Sequence, residues 1–329
     1  MIKLIVCSGD SHTFGQGGSG IRESFDPPFV GGELRLSSFA GKSYVNELRR
    51  MVEAYTASTS MEIMAVQTGL PLEEGYALVD DTLEYELEAD FVRIQLGCAP
   101  YETYAEILID GNKVAEQDMY LEKRDLFQGA YNFYFHLSEG KHRITVKPAK
   151  GKVRFYRLEA YRGPYAVINC GVGSTATWRY MKFFFQRDVL DLKPYAVLME
   201  THTINDWIWG EPPRVYAERL GQMFEQVREV GAIPLMLSVS PVAGSQLIDG
   251  NPVEYVHYIQ ASLDCAAEHK VYLCNAYEKM RRILDALPPA EQFDALFADV
   301  WHPNDAGHRI YAEEAFEGLK KAGLLIAKA

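Results

Sequence analysis

The sequence predicts an α/β protein, a parallel sheet with helices on both faces, interrupted by an all-β sandwich. Three observations predict it. Residues 1–56 and 165–329 alternate short apolar, β-branched runs with stretches of helical periodicity. Residues 57–164 lose that periodicity and alternate short strand-like runs with glycine turns. Every residue suited to nucleophilic chemistry falls just after a predicted strand, on the edge where open α/β sheets gather their ligands.

Residues 1–7 (MIKLIVC) form the first strand and run into Ser8-Gly9-Asp10-Ser11, which puts a hydroxyl at the carboxyl end of a buried strand. Gly15, Gly17, Gly18 and Gly20 follow. They lack the Gly-Lys-Ser/Thr ending of a phosphate loop and the Gly-x-Gly-x-x-Gly spacing, so they predict a flexible loop at the mouth of a cleft. Residues 37–55 carry apolar side chains at helical spacing and form the first helix.

Between 57 and 164 the runs at 62–66, 83–87, 91–96, 105–109, 113–115, 132–136, 142–146 and 153–161 read as strands. Asp110-Gly111 and Glu139-Gly140 supply turns. His136 and His142 lie in or beside these strands as surface or packed residues rather than ligands. From 165 the α/β texture returns. Strands at 165–170, 195–199, 232–239 and 271–274 alternate with helices at about 213–230, 252–268 and from 275 to about 286. A last helix runs from Asn304 or Asp305, either a good N-cap, to about Lys321. With the first strand this makes five strands, and the sandwich enters between the first helix and the second strand.

A net charge of −12 and a pI near 5.2 argue against phosphate-backbone binding, so no nucleic-acid partner is expected. No apolar stretch reaches the ~18 residues of a membrane span, and residues 1–7 are too short for a signal peptide. A cytoplasmic protein with no membrane partner is therefore expected. The five cysteines, an odd number with no Cys-x-x-Cys pair, are expected to be buried free thiols.

A serine becomes a nucleophile when a base takes its proton, a second group orients that base, and donors await the developing oxyanion. Asp299 and His302, three positions apart and fixed by Pro303, offer orienter and base for Ser11. Donors can come from the Ser11 N–H, the glycine turn at Gly173 and Ser174, and the Asn205 amide.

Four blocks in this order carry a resemblance: Gly9-Asp10-Ser11, Asn169-Cys170-Gly171-Val172-Gly173, Thr203-Ile204-Asn205-Asp206, and Asp299-Val300-Trp301-His302. The chain resembles the GDSL, or SGNH, hydrolases over residues 1–56 and 165–329. The resemblance implies a flavodoxin-like three-layer α/β/α domain. It implies ester hydrolysis without metal or cofactor, with Ser11, Asp299 and His302 catalytic and Ser11, Gly173, Ser174 and Asn205 around the oxyanion. In the family a glycine usually stands five residues after the asparagine of the second block; here that position is Ser174. Thr203 stands where glycine is common. The inserted 57–164 segment, read as a jelly-roll-like sandwich, is similar to those appended to carbohydrate esterases.

The expected substrate is a small acyl ester, an acetyl group on a sugar above all. Asp10, Trp207 and Trp301 are candidate substrate contacts; for Trp207, Trp209 and Trp301, all beside the blocks, core packing is the default reading and an aromatic wall for a sugar ring the alternative. A carbohydrate-binding protein without activity and a lipase or thioesterase are the rivals. A metal site of Asp10, His12, Asp299 and His302 would leave the serine idle. The Gly-x-Ser-x-Gly elbow of the general α/β-hydrolases has no match here. The sequence leaves a homo-oligomer open.

Overall fold

A computed structural model describes residues 1–21, 38–73, 76–98, 102–120, 130–243, 246–249 and 251–328. Among these, 3–21, 38–57 and 167–328 cluster as one compact unit, and 1–2 with 58–166 as another.

The first unit is built on a five-stranded sheet in the order Tyr165–Gly171, Lys3–Gly9, Ala196–Glu200, Ile233–Leu237, Tyr272–Cys274. The first strand in sequence is thus flanked by the second and the third. Lys3–Gly9 runs parallel to Ala196–Glu200, with Ile5 opposite Ala196 and Ser8 opposite Met199. The next two pairings are also parallel. Leu4, Ile5, Val6 and Cys7 are all buried, which is why this strand reads as an unbroken apolar run rather than an alternating one. The order 2-1-3-4-5 is the flavodoxin-like one, whose switch point lies between the first and third strands.

Helix Tyr44–Tyr55 starts where the Ser43 side chain accepts from the Asn46 N–H. It is shorter than the 37–55 expected, and residue 37 lies outside the described residues. Pro213–Glu229, Tyr255–Glu268 and Ala276–Asp285 follow, the last capped by Asn275. Asp305–Lys321 closes the chain's helices, with the Asn304 side chain accepting from Ala306 and Gly307 N–H. Tyr44–Tyr55 packs on Asp305–Lys321, and Pro213–Glu229 on Tyr255–Glu268. Several short helical pieces have no counterpart in the sequence reading. Among them are the single turn Ser11–Phe14, the six-residue Thr203–Ile208, the Pro-started Pro289–Leu296, and an irregular run from Thr177 that includes a π-segment at Met181–Phe185. Each is too short or too irregular to show an apolar stripe.

The second unit contains two antiparallel sheets. One has the order Leu83–Glu88, Lys141–Lys150, Tyr104–Ile109, Asn112–Asp118. The other has Leu72–Glu73, Tyr76–Val79, Val153–Arg162, Phe91–Gly97, Ala130–His136, with Thr59–Met64 also pairing to Val153–Arg162. Val92, Ile94, Leu96, Phe155 and Leu158 from one sheet share a core with Leu83, Leu87, Ile107, Ile144 and Val146 from the other. His142 is packed there, its ring bonded to the Asp110 carboxylate and the Ser138 carbonyl. All five cysteines are free and buried. Among the described residues no helix is long and apolar enough to cross a membrane.

Candidate active site

The carboxyl end of the first strand makes its turn under tight constraint. A Cβ on Gly9 would lie 2.1 Å from Thr13 Oγ1 and 2.6 Å from Glu200 Oε2, so only glycine fits. Asp10 then caps the Ser11–Phe14 turn by accepting from the His12 N–H at 3.0 Å. At its other end, the Asn169 side chain donates to the carbonyls of Thr13 and Phe14. Ser11 stands at the start of this clamped turn, 4% exposed.

His302 Nε2 lies 2.9 Å from Ser11 Oγ. Its Nδ1 lies 2.8 Å and 3.0 Å from the two carboxylate oxygens of Asp299. Asp299 Oδ1 also accepts from the N–H groups of Trp301 and His302, each at 2.8 Å. Partial burial opposes ionisation of Asp299, but the His302 ring and these N–H groups outweigh it and hold the carboxyl at about 2. An ionised Asp299 accepts a hydrogen bond from Nδ1–H, which leaves the Nε2 lone pair facing the serine hydroxyl. That arrangement draws the proton from Oγ as the oxygen attacks.

The glycine-rich loop proves to be a seat for this histidine rather than a flexible mouth. Ser19 donates through N–H and Oγ to the two oxygens of Asp305, at 2.7 Å each. Gly17, at φ +92°, passes so close that a Cβ there would meet the Pro303 carbonyl at 2.2 Å and His302 Cβ at 3.2 Å.

The second and third blocks close the site. Val172 N–H donates to the Gly9 carbonyl at 2.9 Å, which brings the Gly173–Ser174 turn beside the serine block. Gly173 is buried; Ser174 is exposed and adopts φ +58°, a left-handed conformation. Asp206 accepts from Thr177 N–H and Oγ1 at 2.8 Å each, tying this turn to the Thr203–Ile208 helix. Asn205 on that helix donates one amide hydrogen to Asp10 Oδ2 at 2.5 Å and keeps its other for an incoming group.

Two sequence-based assignments need correction. Asp10 is fully buried, and its carboxylate accepts from His12 and Asn205, so it organises the site rather than touching substrate. Trp207 is fully buried and donates its indole N–H to the Val253 carbonyl at 3.0 Å, so it is core. Trp301 is partly exposed and meets Trp207 edge-on at 5.8 Å. The aromatic side chain that does face outward is Trp209, 57% exposed, with the Arg179 guanidinium 6.0 Å from its ring.

Sequence reasoning missed Glu200. It is fully buried, and its oxygens accept from the Asp10 and His202 N–H groups. Burial, with the Asp10 charge beside it, pushes its carboxyl well above the carboxylate range. No sequence signal marks it except its position at the end of the third strand. Asp10, His12 and Glu200 are close enough for their oxygen and nitrogen atoms to share an ion, but all three are fully buried and already bonded to protein groups. The proposed metal set of Asp10, His12, Asp299 and His302 divides between this cluster and the Asp299–His302 pair.

A hydroxyl, an imidazole and a carboxylate in hydrogen-bonded series at the carboxyl edge of a parallel α/β sheet define a serine hydrolase. The chain belongs to the GDSL-like Lipase/Acylhydrolase family, whose model matches residues 147–310, and it is a serine ester hydrolase. The matched segment holds the second, third and fourth blocks; Ser11 lies ahead of it. Among solved structures, a peptidoglycan O-acetylesterase is similar at 14% identity over 98% of this chain and 91% of its own, with a TM-score of 0.52. A Bacillus subtilis protein, YXIM_BACsu, is similar at 14% identity over 80% of this chain and 88% of its own, with a TM-score of 0.46. Axe2, an acetylxylan esterase from Geobacillus stearothermophilus, is similar at 20% identity over 47% and 73%, with a TM-score of 0.39. No curated protein matches by sequence.

Proposed function

We propose that the protein hydrolyses short acyl esters, acetyl above all, carried on a carbohydrate, through an acyl-enzyme on Ser11. The observation that carries this reading is the series Asp299–His302–Ser11, closed by bonds of 2.8 and 2.9 Å. Ser11 Oγ attacks the ester carbonyl while His302 Nε2 takes its proton, and Asp299 stabilises the imidazolium that forms. The carbonyl oxygen becomes an oxyanion. The free Asn205 amide hydrogen, the Ser11 N–H and the N–H groups of the Gly173–Ser174 turn receive it. Collapse expels the alcohol, which leaves with the proton from His302. Water then attacks the acyl-serine, giving its proton to His302, and the carboxylic acid departs as Oγ recovers that proton.

Two features support a sugar as the alcohol. A solved structure similar over 98% of this chain, with a TM-score of 0.52, is named a peptidoglycan O-acetylesterase. All four tryptophans (178, 207, 209, 301) lie within a few residues of the second, third or fourth block, and Trp209 offers an open face of the kind that stacks on sugar rings. The inserted antiparallel segment is read as a β-sandwich domain. The test is a turnover screen of acetylated sugars beside acyl esters of rising chain length, run on wild type and Ser11→Ala. Ser11→Ala should lose several orders of magnitude while remaining folded, roughly as His302→Ala does, because the two act as a unit. Near-wild-type turnover by Ser11→Ala would remove the serine mechanism. A preference for long acyl chains would remove the acetyl assignment.

A further inference from the structure

The residue after the nucleophile makes bonds that its neighbours do not explain. His12 is fully buried. Its Nδ1 lies 2.9 Å from Asp10 Oδ1 and its Nε2 lies 2.9 Å from the Trp301 carbonyl oxygen. A carbonyl only accepts. Asp10 already accepts from the His12 N–H and the Asn205 amide. Burial opposes its ionisation, but His12, through its ring and its N–H, and His202 nearby outweigh that and hold the carboxyl well below the usual range. Both ring nitrogens therefore face acceptors, and both contacts are bonds only when both carry hydrogen. The groups around the ring are Asp10, Glu200, His202, His302, His308 and Tyr311. Burial beside Asp10 pushes the Glu200 carboxyl up while that of Asp10 is held down, so Asp10 is the carboxylate set against the ring.

The two bonds lead to two different halves of the machinery. Through Asp10, His12 reaches Asn205, whose amide orientation is set by its bond to Asp10 Oδ2. Through Trp301, it reaches the turn in which the Trp301 and His302 N–H groups bind Asp299. We propose that His12 is a positioning residue for the reaction, a doubly protonated imidazolium brace that fixes the oxyanion amide and the base-bearing turn against each other. This deepens the serine-esterase reading and rests on it. A neutral ring would keep one bond and set a lone pair against the acceptor of the other, so one arm would swing free.

The experiment compares wild type, His12→Gln, Asn205→Ala and the double variant on p-nitrophenyl acetate, with Ser11→Ala as reference. A misplaced donor or base costs up to about 100-fold, so His12→Gln should lower kcat by about 10- to 100-fold with KM changed by less than about threefold. In the Asn205→Ala background the same substitution should cost several-fold less, because one of its two arms is already gone. A rise in KM with kcat unchanged, or the same loss in both backgrounds, would overturn the brace. Should His12→Gln not fold, ¹⁵N histidine spectra of the wild type decide. The His12 resonances should report hydrogen on both nitrogens, as the two acceptors around the ring require, and a neutral tautomer would refute the proposal. Activity surviving in Ser11→Ala instead condemns the serine reading itself, which keeps the two failures apart.

Discussion

Gly171 and Phe14 approach so closely that a Cβ built on Gly171 would lie 2.2 Å from the Phe14 nitrogen. The contact joins the end of the second strand to the turn that carries Ser11. It leaves the turn no room to move toward the strand, while the bonds of Asn169 to the Thr13 and Phe14 carbonyls keep it from moving away.

Gly171→Ala should therefore displace the Ser11 turn rather than the strand, whose residues are fixed in the sheet. Overpacking of this kind costs about 1–3 kcal/mol, and a shift of about 1 Å at the nucleophile costs about 100-fold in rate. The expected outcome is a modest fall in Tm with a much larger fall in kcat/KM, read by calorimetry and ester hydrolysis on the same sample.

Ser174 takes a left-handed backbone that a non-glycine residue adopts at a cost of about 1 kcal/mol. Ser174→Gly should leave kcat/KM within about twofold, since the donor at this position is backbone, and leave stability within about 1 kcal/mol, as relieved strain offsets the greater freedom of the unfolded chain. Ser174→Val should lower both. Equal activity in the two variants would show that the turn's conformation does not matter.

Asp206 gives a pH signature. Burial, opposed by its bonds to Thr177, raises its carboxyl from 3.8 to about 7 in the folded protein. The folded state thus holds this proton more tightly than the unfolded chain does. The resulting stability is complete below about pH 4 and is lost as pH rises through about 7. Asp206→Asn resembles the protonated acid, so its Tm relative to wild type should climb between pH 5 and 8. A difference that stays flat across that range would show that Asp206 is ionised throughout.

Trp207 and Trp209 should separate cleanly. Trp207→Ala opens a cavity in a packed core and should cost about 3–5 kcal/mol of stability. Trp209→Ala should leave Tm nearly unchanged and p-nitrophenyl acetate turnover intact, while raising KM for an acetylated oligosaccharide several-fold through loss of about 1 kcal/mol of stacking. An unchanged KM for the sugar substrate would exclude Trp209 from binding.

What was legible in the sequence follows from burial. Strands covered on both faces leave uniform apolar runs such as LIVC, and the turns after them show as glycine and polar clusters, so the parallel sheet and the positions of Ser11, Asn205, Asp299 and His302 could be read. The partners of those residues could not. Trp207 and Trp209 are two residues apart, about 200° around a helix, and nothing local says which one faces inward. Asp10 looks like a cleft carboxylate until Glu200, His12 and Asn205 enclose it, and those three come from separate parts of the chain. The Ser11–Phe14 turn is held by Asp10 and Asn169 rather than by any helical propensity, so no pattern within it could announce it.

The position of the first strand between the second and the third bears on how the chain is made. Lys3–Gly9 is synthesised well before its neighbours in the sheet, which begin at residues 165 and 196. At ~5–20 residues per second this is a wait of roughly 10–40 s, longer than a domain of a hundred residues needs to fold. Residues 58–166 share a core of their own and should complete it in that interval, while Leu4, Ile5, Val6 and Cys7, buried only in the finished sheet, should stay exposed. Nascent chains arrested once 58–166 has cleared the ribosome should accordingly resist protease over 58–166 and be cut within the first twenty residues. Arrest later, once Ala196–Glu200 and Ile233–Leu237 have also cleared it, should protect both. Ser11 is thus synthesised long before the strands that seat it, so a chain truncated ahead of them carries the nucleophile without the means to use it.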